Sequence, residues 1–447
     1  MKKTGKIVWL VAYFLSPAIL FLFVFQTKPP FFQQKPEYVI STIAGTFAYT
    51  WLCYQFIISV RPKFIEKHFG MDNLYRFHGL MAGISVFLGF VHLMVRRIYF
   101  VPIPPYGWFA FYLFVLISVM AVIFLLNTPL RKIKFVETFR NFVDEKIGFK
   151  RYYSVLAHNF SMVAATLLFL HVITGSASAF SPIVRYLHMG IYIVGVTFWL
   201  YHQVIQRIQM KQNAYQVVEN RLENPAIHSI HLAPQQGQIF DYKPGQFAFL
   251  SVHNQRISPE PHPYTIASSP SNPEELEFVI KTSGDYTSQL DLIEKGDEVH
   301  VNAPFGVFTY LNFPAEQDLV FVAGGIGITP FLSMLRWMKD KDPQRKVILL
   351  WGCRFLQDVI KQDEFEEISA AMPNFKWYPV LSDEPDYEGE TGFFDAEKLN
   401  RLAVKEIDIA STGFYTCGPP IMMKIVDEAL QDLGVPSQQI HYEKFSF

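Results

Sequence analysis

Residues 77–95 read FHGLMAGISVFLGFVHLMV, an apolar run without a single Asp, Glu, Lys or Arg. A helix of about 20 apolar residues is long enough to cross the hydrocarbon layer of a bilayer. Five more stretches share this composition and approximate length, namely 7–25, 38–60, 108–126, 152–173 and 186–205. We therefore predict six membrane-spanning helices. The first is expected to be retained, because no small-residue cleavage site of a signal peptide follows it.

The basic residues outside these stretches predict the direction of the spans, since cytoplasmic loops carry the excess of Lys and Arg. Loops 61–76 and 127–151 carry four and seven such residues. The three loops on the opposite side are short and carry five together. We expect a multi-pass protein of the plasma (cell) membrane whose N- and C-termini are both cytoplasmic.

Histidines inside the predicted spans indicate a function, because ionisable side chains at membrane depth are costly. Three spans each carry one His near either membrane face: His78 and His92, His158 and His171, His188 and His202. Neutral imidazole is an axial ligand of haem, so two such pairs on neighbouring helices suit two stacked haems. Two residues 14 positions apart lie on about the same face of a helix, whereas two residues 13 positions apart point in directions that differ by ~140°. Geometry alone favours the third and sixth spans, and the choice of helices stays open.

The second half of the chain has a different pattern. Beyond residue 206 short strands alternate with turns such as Pro244-Gly245, which predicts a small antiparallel β-barrel. From residue 318 strands alternate with helices, and one buried strand leads into GGIGITP at 324–330. Glycines there let a phosphate approach the backbone at a helix N-terminus, with Thr329 suited to the N-cap position. We predict three domains: a transmembrane domain at 1–210, a β-barrel at 211–313 and an α/β nucleotide-binding domain at 314–447.

Four motifs in this half follow one another in a defined order. They read HPYTIASSP at 262–270, GDYT at 284–287, GGIGITP at 324–330 and CGPP at 417–420. Together with the histidine spacings of 14 and 13, they resemble the ferric reductase and NADPH oxidase superfamily over nearly the whole chain. The resemblance implies a multi-domain membrane protein. Its six-helix transmembrane bundle is followed by a ferredoxin-reductase-like module with an antiparallel β-barrel FAD domain and an α/β nucleotide-binding domain.

For the membrane domain, the resemblance implies that the third and fifth spans hold two b-type haems. His78 with His158 would ligate the inner haem, and His92 with His171 the outer haem. Both rings of the fifth span face inward only if that helix contains an irregularity. His188 and His202 then become extra residues, for which polar contacts at the membrane interfaces are the simpler interpretation.

For the barrel, the resemblance implies a flavin-binding site. The residues expected along the flavin are His262, Pro263, Tyr264 and Thr265. The residues expected at its pyrophosphate are Lys281, Gly284 and Thr287. Broader reductases usually have Arg where His262 stands, and this departure fits the oxidase and ferric reductase branch.

For the nucleotide-binding domain, the resemblance implies cofactor contacts along two loops. The expected contacts are Gly324, Gly325, Gly327 and Thr329 in the first loop, and Cys417, Gly418 and Pro419 in the second. Cys417 is expected beside the nicotinamide ring and Phe447 stacked on the isoalloxazine, both as catalytic residues. Arg354 follows the second strand, where an acid would select NADH, and Arg suits a 2′-phosphate. We expect NADPH as the cofactor, with NADH as the alternative.

The motifs together predict an enzyme that passes electrons from NADPH through FAD and two haems to an extracellular small molecule. The first hypothesis is an oxidase that reduces O₂ to superoxide, and the second is a ferric-chelate reductase. A third, of another class, is a cytochrome-b subunit that donates electrons to a partner protein. A net charge of −1 argues against nucleic-acid binding, and three scattered cysteines argue against a disulfide framework. Beyond the lipid membrane, no obligate protein partner is expected.

Overall fold

The chain is described by a computed structural model that covers residues 2–99, 101, 103–125, 133–147, 151–212 and 214–443. It forms two compact units, Met1–Arg207 and Ile208–Ser446. The first unit is helical, and the second contains two β-sheets with their connecting helices.

Long apolar helices make up most of the first unit. In chain order its helices are α1 (Lys2–Gln26), α2 (Pro30–Gln33), α3 (Pro36–Ser59), α4 (Lys63–Phe69), α5 (Met71–Ile98), α6 (Pro105–Met120), α7 (Lys134–Ile147), α8 (Arg151–His158), α9 (Ser161–Ile173), α10 (Ser176–Phe180) and α11 (Pro182–Leu200). A π-helical turn at Ala121–Leu125 follows α6, and another at Tyr201–Gln206 joins α11 to α12 (Arg207–Gln212).

Five helical stretches in the described residues are long and apolar enough to cross a membrane. They are Gly5–Gln26, Asn73–Ile98, Pro105–Phe124, Leu156–Ile173 and Pro182–Lys211. The sixth candidate combines α3 with α4, which are bent by 91° relative to each other. The bend lies at Arg61 and Pro62, where Pro disfavours a helical conformation of the preceding residue and Arg61 has a φ of 56°. This architecture is typical of a multi-pass membrane protein.

The fifth predicted span contains the expected irregularity. α8 ends at His158 and α9 begins at Ser161. Between them Asn159, Phe160 and Met162 donate backbone hydrogen bonds three residues back, to Leu156, Ala157 and Asn159. Such a turn rotates the chain by about 120° per residue instead of about 100°. The extra rotation reduces the angular mismatch that the spacing of 13 creates.

The second unit begins with an antiparallel sheet, which we call the β domain. Its strands are β1 (Ala214–Asn224), β2 (Ile227–Pro234), β3 (Phe247–His253), β4 (His262–Thr265), β5 (Leu276–Lys281) and β6 (Glu298–Phe305), in the order β4-β3-β6-β1-β2-β5. Alternate residues such as Tyr215, Val217, Ile230 and Leu232 point into one apolar core.

A sheet of parallel strands, which we call the α/β domain, follows. Its strands are β7 (Asp318–Gly324), β8 (Val347–Cys353), β9 (Phe375–Leu381), β10 (Glu390–Thr391), β11 (Thr412–Cys417) and β12 (Ile440–Glu443), in the order β10-β9-β8-β7-β11-β12. Its helices are α13 (Thr329–Lys341), α14 (Gln362–Ala371), α15 (Ala396–Leu402) and α16 (Pro420–Asp432). Apolar clusters cover both faces of the sheet, which explains why β7 is an almost continuous run of buried residues. The predicted fold class is confirmed.

Candidate functional site

The nucleotide loops meet at the point where the strand order of the α/β domain reverses. The chain runs from β7 outward through β8 and β9, and later places β11 on the other side of β7. In open α/β sheets, ligands bind at such a switch point, outside the carboxyl ends of the strands. Ala323 at the end of β7 lies opposite Cys417 at the end of β11. The two loops predicted to bind the nucleotide therefore lie side by side.

Glycines allow these two loops to touch. A Cβ atom on Gly327 would collide with the carbonyl oxygen of Cys417 and lie 3.0 Å from the Cα of Gly418. A Cβ on Gly418 would lie 3.0 Å from the Cα of Gly324. Gly325 has a φ of +52°, in the left-handed region that side chains disfavour. Glycine at these positions thus lets the two loops pack backbone against backbone, with the side chains of Met422 and Pro419 packed against Gly324.

Thr329 differs from the prediction in one respect. Ile328 occupies the N-cap position, and Thr329 is the first residue of α13. The Thr329 hydroxyl donates to the carbonyl of Ile326 at 3.2 Å, so it closes the turn before the helix. The N-cap prediction was therefore wrong by one residue, because a short 3₁₀ turn at Gly325–Ile328 shifts the start of the helix.

Arg354 follows β8 at the same carboxyl edge of the sheet. Its side chain is 71% exposed, and its Nε donates to Oδ2 of Asp383 at 2.6 Å. Asp383 lies just beyond β9 and was not singled out from the sequence, because nothing in the local pattern distinguishes it from other surface acids. The edge where a ribose would bind thus carries one base and one acid.

The predicted flavin stretch forms β4, which pairs with β3 so that His262 lies opposite Leu250 and Thr265 opposite Phe247. The His262 ring lies 3.8 Å from the ring of Tyr286, measured between centroids. Pro263 faces Phe249 across the same pair of strands. The flavin stretch and the turn at 284–287 are therefore in direct contact. Tyr286 is part of the GDYT motif, but its contact with His262 was not foreseen.

Two features of this region suit a flavin. The Tyr264 hydroxyl is buried and makes no hydrogen bond with the described residues, so it has an unused donor. Gly284 has a φ of +137°, and the Thr287 hydroxyl accepts from the backbone N–H of Ser283 at 2.7 Å, which fixes the turn expected at the pyrophosphate. Lys281 ends β5, and its positive charge opposes the rise that burial causes in the pKa of the Cys353 thiol at the end of β8.

The histidines of the first unit form two ring pairs. The ring centroids of His78 and His158 are 6.0 Å apart with an interplanar angle of 69°. Those of His92 and His171 are 6.3 Å apart with an angle of 78°. Metal–imidazole bonds are about 2 Å long and a ring centre lies roughly 1.1 Å behind the ligating nitrogen, so two imidazoles on one iron have centres about 6.2 Å apart. The centroid distances of both pairs match this value.

The surroundings fix the orientation of one of these four rings. His92 Nδ1 lies 2.8 Å from the carbonyl oxygen of Ser41, which can only accept, so Nδ1 carries the proton and Nε2 keeps its lone pair. The Nδ1 atoms of His78, His158 and His171 are buried without a hydrogen-bond partner in the described residues.

The two remaining intramembrane histidines have other partners. His188 is buried, and its Nδ1 lies 2.9 Å from the Ser178 hydroxyl. His202 Nδ1 lies 2.6 Å from Oε1 of Gln206. Both rings thus make polar contacts to neighbouring side chains.

Comparison with known proteins identifies two domains in the second unit. Residues 216–303 match the model of an FAD-binding domain, and residues 321–428 match that of an oxidoreductase NAD-binding domain. The reductase component of propane 2-monooxygenase from Mycolicibacterium smegmatis is 33% identical over 247 residues, which cover 54% of this chain and 68% of that protein. The chain belongs to the ferredoxin-reductase family.

Two further similar proteins show how far the likeness extends. The corresponding reductase component from Rhodococcus jostii is 32% identical over 225 residues, which cover 49% of this chain and 60% of that protein. The FAD/NAD-binding domain of nitric oxide dioxygenase from Vibrio cholerae has a TM-score of 0.47 and 26% identity, covering 52% of this chain and 98% of that chain. The chain thus spans roughly 60–68% of the length of these two reductase components, and both domain matches lie in its second unit.

This ferredoxin-reductase family member is a flavin-dependent NAD(P)H oxidoreductase. Flavin supplies the chemistry of accepting a hydride and releasing electrons singly. Cys417 is fully buried, and burial raises the pKa of its thiol well above the ordinary value, with Glu443 adding to the effect. The thiol stays protonated at neutral pH, so Cys417 cannot act as a thiolate. Phe447 lies outside the described residues.

Proposed function

We propose that this reductase is a transmembrane flavocytochrome of the ferric reductase and NADPH oxidase type. It would move electrons from cytoplasmic NADPH through FAD and two b-type haems to O₂ on the outer side, with superoxide as the product. The observation that carries the proposal is the pair of imidazole separations, 6.0 Å and 6.3 Å, on helices α5, α8 and α9.

The inner haem would be held by His78 and His158, and the outer haem by His92 and His171. The haems would supply one-electron steps across a layer that excludes charged carriers. The protein contributes the four imidazoles, and at His92 the Ser41 carbonyl orients the ring. Because two histidines would hold each haem iron, the haems would supply electron transfer and not a binding site for the final acceptor.

The acceptor is inferred from the short outer loops and from charge. A small neutral molecule such as O₂ needs no binding domain, and the loops predicted to face outward are short. One observation favours a second candidate, a ferric-chelate reductase. Burial and, to a smaller extent, the nearby charge of Arg96 lower the pKa of the Lys28 ammonium to about 8, so two cations lie close together. Lys28 and Arg96 both lie near His92, and their positive charges could attract an anionic chelate.

The nicotinamide cofactor is proposed to be NADPH. Arg354 stands at the carboxyl edge beside the glycine loop, and a guanidinium can bind a 2′-phosphate through two hydrogen bonds. NADPH and the flavin would bind on the cytoplasmic side, in the plasma membrane orientation expected from the basic loops.

The test is NADPH oxidation in air by the purified, FAD-supplied full chain, with reduction of cytochrome c followed with and without superoxide dismutase. The oxidase proposal predicts that dismutase abolishes cytochrome c reduction. Slow reoxidation by air combined with fast reoxidation by a ferric chelate would identify a metal reductase instead. If neither acceptor is reduced until another protein is added, the third hypothesis, a cytochrome-b subunit, replaces both.

A further inference from the structure

A largely buried cluster of five charged side chains joins the β domain to the α/β domain. We call it the ion cluster, and its members are Glu223 of β1, Glu277 of β5, Arg336 of α13, and Lys361 and Glu364 at the start of α14. The Lys361 Nζ lies 2.9 Å from a Glu223 oxygen and 2.8 Å from a Glu277 oxygen. Arg336 binds the other Glu277 oxygen at 2.5 Å and both oxygens of Glu364 at 2.6 and 2.7 Å.

Lys361 reaches the cluster at a conformational cost. Its φ is 54°, in the left-handed region that residues other than glycine rarely adopt. It is the N-cap residue of α14, and its side chain is only 6% exposed. Strained backbone persists only where the surrounding structure over-determines it, and it concentrates at sites where geometry matters for function.

The charges of the cluster hold one another in the ionised state. Burial alone would raise the pKa of Glu277, but Arg336, Lys361 and a hydrogen bond from the Ser229 hydroxyl keep it well below its usual range. His231 lies at the margin, with Nε2 3.7 Å from Glu277 and Nδ1 2.9 Å from Glu275. Replacing a buried ion pair by apolar residues is often neutral or stabilising. Stability is therefore a poor reason for such a cluster, and geometric specificity is a better one.

The cluster is bonded directly to the flavin stretch. Arg336 donates to the carbonyl of Ala267 at 2.9 Å, and the neighbouring Ser333 donates to the carbonyl of Ser268 at 2.7 Å. The backbone carbonyl of Glu277 accepts from the N–H of Ala267 at 2.8 Å. Ala267 and Ser268 belong to HPYTIASSP.

One residue of the ion cluster also lies on the helix that follows the nucleotide loop. Arg336 stands about two turns into α13, the helix that begins where the glycine loop ends. A rigid helix transmits the position of its N-terminus to any residue along it. One guanidinium thus connects the strand beside the flavin with the element beside the nucleotide.

We propose that the ion cluster is a positioning device for hydride transfer, which fixes the flavin stretch against the helix that carries the nucleotide loop. In this step the C4–H bond of the reduced nicotinamide breaks, and two electrons with one proton pass to the flavin, leaving NAD(P)⁺ and reduced flavin. The residues of the cluster touch neither reacting atom. They set the distance between the two rings, and the proposal does not depend on haem.

The experiment compares the limiting rate of flavin reduction with the affinity for the nucleotide. Anaerobic stopped-flow mixing of the FAD-loaded full chain with increasing NADPH, and separately NADH, gives both quantities. The test variants are E277Q, which keeps the shape of the side chain, and S333A, which removes one interdomain hydrogen bond. The matched control is R256M, because Arg256 pairs with Glu294 and Asp297 wholly within the β domain.

A displacement of 1 Å between two reacting atoms can lower a rate on the order of a hundredfold. E277Q is therefore expected to lower the limiting rate of flavin reduction by about tenfold or more. The dissociation constant for NADPH should stay within about twofold of the native value. S333A is expected to show a smaller loss of the same kind, and R256M none. FAD content should be unchanged in all three. An unchanged limiting rate would show that the cluster is merely structural. A loss confined to nucleotide affinity or to FAD content would assign it to cofactor binding, and either result would overturn the proposal.

Discussion

Replacing Gly45 by alanine tests the proposed outer haem site directly. Gly45 lies on α3, and a Cβ atom there would lie 2.6 Å from Nδ1 of His92. Ordinary contacts begin at 3.4 Å, so the ring and the helix must separate by 3.4 − 2.6 = 0.8 Å. Metal–ligand distances tolerate deviations of only about 0.2 Å. The variant should therefore disrupt ligation at His92 while His78 and His158 keep theirs.

Gly107 offers an independent version of the same perturbation. A Cβ at this position would lie 2.6 Å from Nδ1 of His171, the other residue of the outer pair. Gly89 provides the control, because it stands on α5 near His92 and a Cβ there would meet only the Phe111 ring at 3.7 Å. G45A and G107A are expected to lose or convert one haem per chain, and G89A none.

The assay is haem content per polypeptide, combined with the optical and electron paramagnetic resonance spectra of the purified full chain. The expected result for G45A and G107A is one low-spin bis-imidazole haem, with the second either missing or high-spin. If G45A retained two low-spin haems with unchanged spectra, the ring of His92 would not be an iron ligand held in the geometry described here.

Three further predictions address the nucleotide edge, the extra histidines and pH. R354A should raise the apparent KM for NADPH by about tenfold or more, because a hydrogen bond to a charged group contributes about 1.5–3 kcal/mol, and it should leave the KM for NADH unchanged. D383N should instead favour NADPH. The kinetics of ferricyanide reduction with each nucleotide measure both effects. H188N and H202N should each keep two haems by absorbance, because each ring is already hydrogen-bonded to a neighbouring side chain. The pKa of Glu277 lies well below the ordinary glutamate value of 4.5, so the stability that its charge adds is complete above that pH and declines as the pH falls towards the lowered pKa. FAD release followed by fluorescence should show this decline in the native chain and lack it in E277Q.

The sequence was sufficient for the architecture because the signals are long and repetitive. Apolar stretches of about 20 residues define membrane helices, and the glycine loop between a buried strand and a helix defines a nucleotide domain. Burial on both faces of β7 follows from its uninterrupted apolar run. These features depend on composition over many residues, so small local irregularities do not disturb them.

Details that depend on single turns were not predictable in the same way. Helical periodicity alone favoured pairing the third span with the sixth, and only the family resemblance implied the third with the fifth. The structure places His158 beside His78 and His171 beside His92. The difference arises from the tight turn at Asn159 and Phe160, which no regular period reveals. The start of α13 moved by one residue for the same reason.

Contacts between distant parts of the chain could not be predicted from the sequence either. Asp383 lies 29 residues beyond Arg354, and Glu277 lies 84 residues before Lys361, so neither pair leaves a local pattern. A buried lysine at an N-cap position could not be recognised without its partners. Such pairs become visible only when the sheet topology places the strand ends together.

The most direct test of the proposed electron path is the haem content of the purified native chain. We expect two b-type haems per polypeptide, both low-spin with bis-imidazole ligation, and the loss of one of them in H171A. A chain that retains FAD and oxidises NADPH but binds no haem would contradict this electron path, since the two imidazole pairs would then have another role.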